Sequence, residues 1–244
     1  MKKLIFILCL VPAVMLYGAS LVNAGQKLPP HWNEREGGTL VWGKVSTPGT
    51  LDPHVSVANV TSRTVKRLFE GLLERDLTVP STKGIPPIKS ALAKKWEVSE
   101  DGLMYTFYLR KDVLFHNDDP FNADAVVFSF RRWTDKNFEY FYPRAESILH
   151  FVARYIKAVE KVDDYTVQIQ LKQRNAHFLE MLVEPSGLGQ ADIVCPSVVK
   201  ELGNEGFARQ PCGTGPFKFV ERIRGEKIVL ERNEKYWREL AYLK

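Results

Sequence analysis

The side chains here that could do chemistry fall in a few short runs. His116-Asn117-Asp118-Asp119 sets an imidazole beside two carboxylates, the ingredients of a metal site or of a general base with an orienting acid. A closed metal site needs three or four ligands at workable spacing. His31, His54, His150 and His177 are scattered, with no HExxH or CxxC run to supply them. Asn, Asp and Pro also build turns ahead of capped helices, so the run reads as a corner of the chain. CGTGPF at 212–217 lacks the Lys-Ser/Thr pair of a nucleotide loop, and its proline leads into a strand rather than a helix. Ser186 in EPSGLG misses the GxSxG frame of a nucleophile elbow. No catalytic constellation forms, so neither an enzymatic reaction nor a cofactor or metal is expected.

The chain has 244 residues, 45% of them hydrophobic, enough for one large domain or two small ones. Lys2 and Lys3, an apolar run from Leu4 to Tyr17 and the small-residue exit Val22-Asn23-Ala24 describe a secretory signal peptide over 1–24. Cys9 has Leu8 before it, where a lipoprotein cleavage site has a small residue. Export to a periplasmic or cell-surface location is expected. Without Lys2 and Lys3, the 34 basic residues become 32 against 29 acidic, a net charge of +3 spread along the chain. That pattern is solvated surface, and it argues against a nucleic-acid partner. Cys195 and Cys212 then remain as a candidate disulfide. Pairing would close a short loop and contribute roughly 3 kcal/mol in the chain-entropy model; the spacing leaves pairing and free thiols both open.

The elements that must position these residues follow from periodicity. GTLVWG reads as an entering strand, and TPGTLDPHVSVAN as a surface loop. Val65, Leu68, Phe69 and Leu72 define one helical face, with Thr61 or Ser62 as cap and Gly71 near the helix end. KKWEVSEDGLMYTFYLR reads as a hairpin turning on Asp101-Gly102, both expected at positive φ. Asn122 caps a helix with Val126, Val127, Phe130 and Trp133 inside. IKAVEKVDDYTVQIQLK is a second hairpin, burying Val167, Ile169 and Leu171. AHFLEMLV reads as a short helix, ADIVCP as a strand, SVVKELG as a helix ending on Gly203, and the last two strands flank Arg224-Gly225. The class is α/β in the broad sense, mixed α+β with antiparallel hairpins.

In this order the segments GGTLVWG, LDPH, RLFEGLLERD, SALAKKWEVSEDGLMYTFYLRKDVLFHNDDPFNADAVVFSF, VEKVDDYTVQIQLK, CGTGPFKF and IVLERNEKYW resemble the extracytoplasmic solute-binding proteins, family 5, of ABC importers. That family includes dipeptide-, oligopeptide- and nickel-binding proteins. Asp118 stands where the family usually has Gly, Asn122 where it often has Thr, and Ala125 where it often has Asp. The resemblance implies a periplasmic-binding-protein-like type II lobe with an extra subdomain: 25–57 and 156–244 in the first lobe, 58–155 as the subdomain. Family members are about twice this long, so the chain is expected to be a fragment or truncated product in which the second lobe is missing.

The resemblance further implies a binding protein that takes a small peptide, works with membrane permease subunits and acts as a monomer. It nominates Val57, Asn59, Tyr140, Tyr142 and Glu184 as ligand-binding residues. The alternatives are a nickel or metal-chelate binder of the same family and a secreted hydrolase. A hydrolase would turn over a peptide or ester and lose that turnover on replacement of His116 or Ser186.

Overall fold

Alternating apolar residues build the central sheet. A computed structural model describes residues 37–44, 46–56, 58–79, 84–183 and 191–243; the expected leader, Cys9 and Ser186 lie outside them. Strands β3 (Ala93–Val98), β4 (Met104–Leu109), β5 (Ile156–Asp163) and β6 (Thr166–Leu171) form an antiparallel sheet in the order β3-β4-β6-β5. Tyr105, Phe107 and Leu109 share its buried face with Val167, Ile169 and Leu171, and Phe107 sits directly opposite Val167. Each such side chain contributes roughly 1.5–3 kcal/mol on burial. The division expected at 155/156 runs through this sheet, since β3 and β4 precede it and β5 and β6 follow it. The β3–β4 turn places only Gly102 at positive φ (67°). Asp101 was expected there too; instead its carboxylate accepts from the Leu103 N–H (3.0 Å) and the Ser99 hydroxyl (2.6 Å).

Helix α2 (Ala123–Thr134) covers β5 and β6 and packs on α3 (Pro143–Ala153). Asn122 caps it as expected, its Oδ1 accepting the Ala125 N–H at 3.1 Å. Val126, Phe130 and Trp133 are buried; Val127 is half-buried and Phe128 takes an inner place. Two further helices, α4 (Phe178–Val183) and α5 (Pro196–Phe207), follow. Gly203, at φ 67°, ends the first part of α5 as expected, and the chain then resumes one more turn. Strands β7 (Phe217–Ile223) and β8 (Lys227–Arg232) form the last hairpin. Among the described residues no helix is long and apolar enough to cross a membrane.

Several expected elements differ. GTLVWG forms no strand: a strand exists through ladder bonds, and Leu40, Val41 and Trp42 instead stand exposed. ADIVCP reduces to one bridge between Asp192 and Gly71. Helix α1 (Asn59–Val65) starts earlier and ends sooner than its apolar stripe, with Ala58 in the cap position rather than Thr61 or Ser62. The stripe is buried all the same, because Leu68, Phe69 and Leu72 continue inward through a turn to a short pair, β1 (Leu73–Arg75) and β2 (Ile88–Ser90).

That turn explains why several motifs travel together. The carboxylate of Glu70, in RLFEGLLERD, accepts from Thr214 Oγ1 (2.9 Å), Tyr236 Oη (2.8 Å) and Trp237 Nε1 (2.8 Å), so two distant motifs meet on a side chain of a third. Burial raises the Glu70 pKa, and the donors, with Arg238, hold it back. Gly215 N–H donates to Leu68 O at 3.0 Å, and Phe217 N–H to Arg67 O at 3.1 Å. The approach is too close for side chains: a Cβ on Gly215 would lie 2.5 Å from Arg67 O, and one on Gly213 would overlap Leu68 O. The glycines of CGTGPF serve backbone against backbone. Gly215→Ala is expected to destabilise by about 1–3 kcal/mol. Gly43→Ala, whose Cβ meets nothing, should stay within about 0.5 kcal/mol; chemical denaturation of both variants checks the pair.

Candidate functional site

His116 is a wedge rather than a ligand. Its backbone N–H donates to Gly213 O (2.9 Å), and its Nδ1 accepts the Gly213 N–H (3.3 Å). The remaining proton therefore sits on Nε2, which donates to Gly215 O at 3.1 Å. Burial drives the ring's pKa down to about 4. With both nitrogens spent on the glycine turn, the imidazole has no free pair for a metal or a substrate proton. Asp118 adopts φ 71°, alone among described non-glycine residues, at the position where a glycine is usual in the family it resembles; its carboxylate reaches Lys235 Nζ at 2.7 Å. Asp119 accepts from Asn117 Nδ2 (2.8 Å) and from the Ser197 hydroxyl. Among the described residues no cluster of three His, Cys, Asp or Glu could hold a metal.

A denser polar network lies around LDPH. Arg132, on α2, is fully buried and pairs with the equally buried Asp52 at 2.7 Å. The same guanidinium donates to His54 Nδ1 (2.8 Å) and, through Nε (3.2 Å) and Nη2 (2.8 Å), to Asn204 Oδ1 on α5. His54 therefore carries its proton on Nε2, which donates to Asp192 O at 2.8 Å. Burial and the Arg132 charge push His54 down to about 4. Burial alone would raise Asp52, but Arg132 and His54 hold it below the usual carboxylate range. Sequence periodicity shows Arg132 only as a charge on a helix, and gives no sign that it is interior.

Of the five nominated ligand residues, Val57 and Glu184 lie outside the described residues. Asn59 stands exposed in the first turn of α1. Tyr142 is a packed aromatic: 8% exposed, its hydroxyl donates to Glu205 at 2.7 Å and its ring lies over Arg132. Tyr140 is half-buried and stacks with Phe128 and Phe138. The structure thus joins the two tyrosines to the Arg132 network, since Asn204 Nδ2 also donates to Tyr140 O at 3.4 Å.

The LDPH loop is also where hydrogen bonding is incomplete. Ser56 Oγ, Trp133 Nε1 and Asp192 Oδ2 are buried without a partner among the described residues. All three surround His54: Trp133 meets its ring edge-on, Asp192 accepts from it, and Ser56 is two residues along. Buried polar atoms left open in this way mark a place for water or ligand atoms. Asp192 is half-buried as a residue, yet its Oδ2 reaches no solvent, and burial raises its pKa to about 6.

The pH dependence follows from the signs. His54 and His116, lowered from 6.5 to about 4, contribute fully above pH 6.5, and that contribution is lost as pH falls toward 4. Asp192, raised from 3.8 to about 6, acts oppositely: its ionisation weakens the fold as pH rises from 3.8 through 6. Asp192→Asn should therefore melt above the parent at pH 7.5, with the gap closing toward pH 4. Arg132→Met leaves the Asp52 charge buried and alone, and is expected to destabilise by about 3–5 kcal/mol. Melting curves across the pH range read both.

Comparison with known proteins identifies the family. Residues 87–244 match the family described as bacterial extracellular solute-binding proteins, family 5 Middle. Heme-binding protein A of Haemophilus influenzae is 40% identical over 167 residues, 64% of this chain and 30% of that protein. The probable ABC transporter periplasmic-binding protein SapA of Escherichia coli is 32% identical over 242 residues, 94% of this chain and 42% of SapA. DppA from Helicobacter pylori, an ABC transporter-associated periplasmic binding protein solved in complex with the peptide STSA, superposes with a TM-score of 0.74 at 31% identity, over 86% of this chain and 42% of that one. The chain thus spans 30–42% of the length of these relatives. It belongs to family 5 of the bacterial extracellular solute-binding proteins.

Proposed function

We propose that this chain forms part of the substrate-binding component of an ABC importer, exported to the periplasm, and that its solute is a short peptide. The likeness to DppA solved with a bound tetrapeptide carries the reading. The site chemistry supports it: the conspicuous histidines are spent on backbone and side-chain bonds within the fold, which leaves capture rather than reaction. The ligand wall we assign is the loop after LDPH, with Val57 and Asn59, together with Tyr140 and Glu184. Tyr142 is packed within the described fold, its hydroxyl on Glu205 and its ring against Arg132. A half-buried tyrosine offers an apolar face and a polar tip, which suits peptides of varied side chain. Binding would favour a closed form that the membrane permease recognises. Haem is the second reading, favoured by the 40% identity to a heme-binding relative.

Calorimetry and thermal shift with Ser-Thr-Ser-Ala, haem and nickel–histidine test this, using the chain continued to the length of its relatives where its reading frame allows. Peptide at about 100 times its Kd should stabilise by about 2.7 kcal/mol. Asn59→Ala should weaken peptide binding several-fold at unchanged resting stability, and Tyr140→Phe, which keeps the ring contacts with Phe128 and Phe138, should weaken it through loss of the hydroxyl. Haem binding without a peptide response would establish the second reading. Turnover of a peptide that disappears with His116→Ala would replace both with the hydrolase.

A further inference from the structure

Two cysteines separated by 17 positions in sequence lie side by side in the fold. Cys195 is the residue before Pro196, at the start of α5, and Cys212 opens the turn that contains Gly213 and Gly215. The Cys195 N–H donates to Cys212 O at 3.1 Å. That bond brings the two main chains together, as a disulfide between neighbouring segments requires. Both thiols are buried and free in this structure. Nothing in the binding reading uses them: they lie with the His116–Asp119 corner, where Cys195 Sγ is 3.2 Å from Ser197 Oγ and 3.4 Å from Asn117 Oδ1.

We propose that Cys195 and Cys212 are a disulfide-forming site, oxidised by exchange with an external disulfide, and that the bridge staples the start of α5 to the glycine turn. The electrons and protons balance with a small disulfide such as glutathione disulfide as oxidant. The Cys195 thiolate attacks one of its sulfurs, forming a mixed disulfide and expelling one glutathione thiolate. The Cys212 thiol then gives up its proton, and its sulfur attacks that of Cys195, expelling the second glutathione. Two electrons leave the protein, and the two thiol protons go to the departing thiolates.

The order of attack has a structural basis. The Cys212 thiol donates to Cys195, and the Ser197 hydroxyl and Val198 N–H at the helix start add to it, which lowers the Cys195 pKa despite burial. Cys212, as donor in a buried place, is raised. Both side chains are almost wholly enclosed, Cys195 at 0% and Cys212 at 5% exposure. Exchange therefore needs a brief opening that exposes Cys195 while its helix-start donors stay in place, and the finished bond is shielded from reductant.

The test uses the full chain, unfolded with reductant and refolded in a buffer of reduced and oxidised glutathione, followed by proteolysis and mass spectrometry. The expected result is a peptide pair linking Cys195 to Cys212, lighter by two hydrogens than its reduced form. The oxidised chain should melt about 5–10 °C above the reduced one. The double variants Cys195→Ser/Cys212→Ser and Cys195→Ala/Cys212→Val, the second keeping the site apolar if the first folds poorly, should melt alike in both buffers. Two free thiols after refolding, a lasting glutathione adduct, or a link to Cys9 would each overturn the pairing. Equal melting of the oxidised and reduced chains would overturn the staple.

Discussion

One guanidinium sets the terms for the rest of the fold. Arg132 is removed from water entirely, and a charge so placed is tolerated only when its donors are spoken for. Asp52, His54 and Asn204 answer it from the LDPH loop and from α5, and the rings of Phe207 and Tyr142 close over it. Three segments far apart in sequence are thereby fixed to one point. The loop that carries Ser56, one of the open polar atoms, is held at its base by this ionic clasp.

A second convergence, on Glu70, has the same logic with a different charge balance. Among the described residues its donors are neutral, a threonine, a tyrosine and a tryptophan, and Arg238 stands further out on Glu74. The turn at 213–215 fits against this group only because it lacks side chains, and His116 locks the turn from its other side. Residues that look catalytic in a one-dimensional reading are thus the joinery between segments. Their types were chosen by hydrogen-bond arithmetic: a neutral imidazole offers one donor and one acceptor, and the glycine turn takes both.

How much of this was legible depended on how local the cause was. The hairpins β3–β4 and β5–β6 and the Asn122 cap could be read because alternation and turn residues are properties of adjacent positions, whereas the β4–β6 pairing that joins the hairpins into one sheet is long-range. The reading of 116–119 as a corner rested on the same kind of information and agrees with the bonds observed. What depends on a distant partner was hidden. GTLVWG has strand composition but no ladder, and β1 and β2 are three residues each, too short to show a period. The interior place of Arg132 and the meeting of Cys195 with Cys212 arise from topology alone. Asn59 and Tyr140 were nominated through likeness to a family; no spacing in the chain distinguishes them from any other polar or aromatic side chain.

The two outer strands of the central sheet have a consequence for the company the molecule keeps. β3 exposes Lys94, Lys95 and Glu97, and β5 exposes Lys157, Glu160, Lys161 and Asp163, while the pairing register slips once in β3 and twice in β5. Irregular borders studded with charge make a poor template for another molecule's strand. Strand-to-strand addition along those two margins is thereby discouraged.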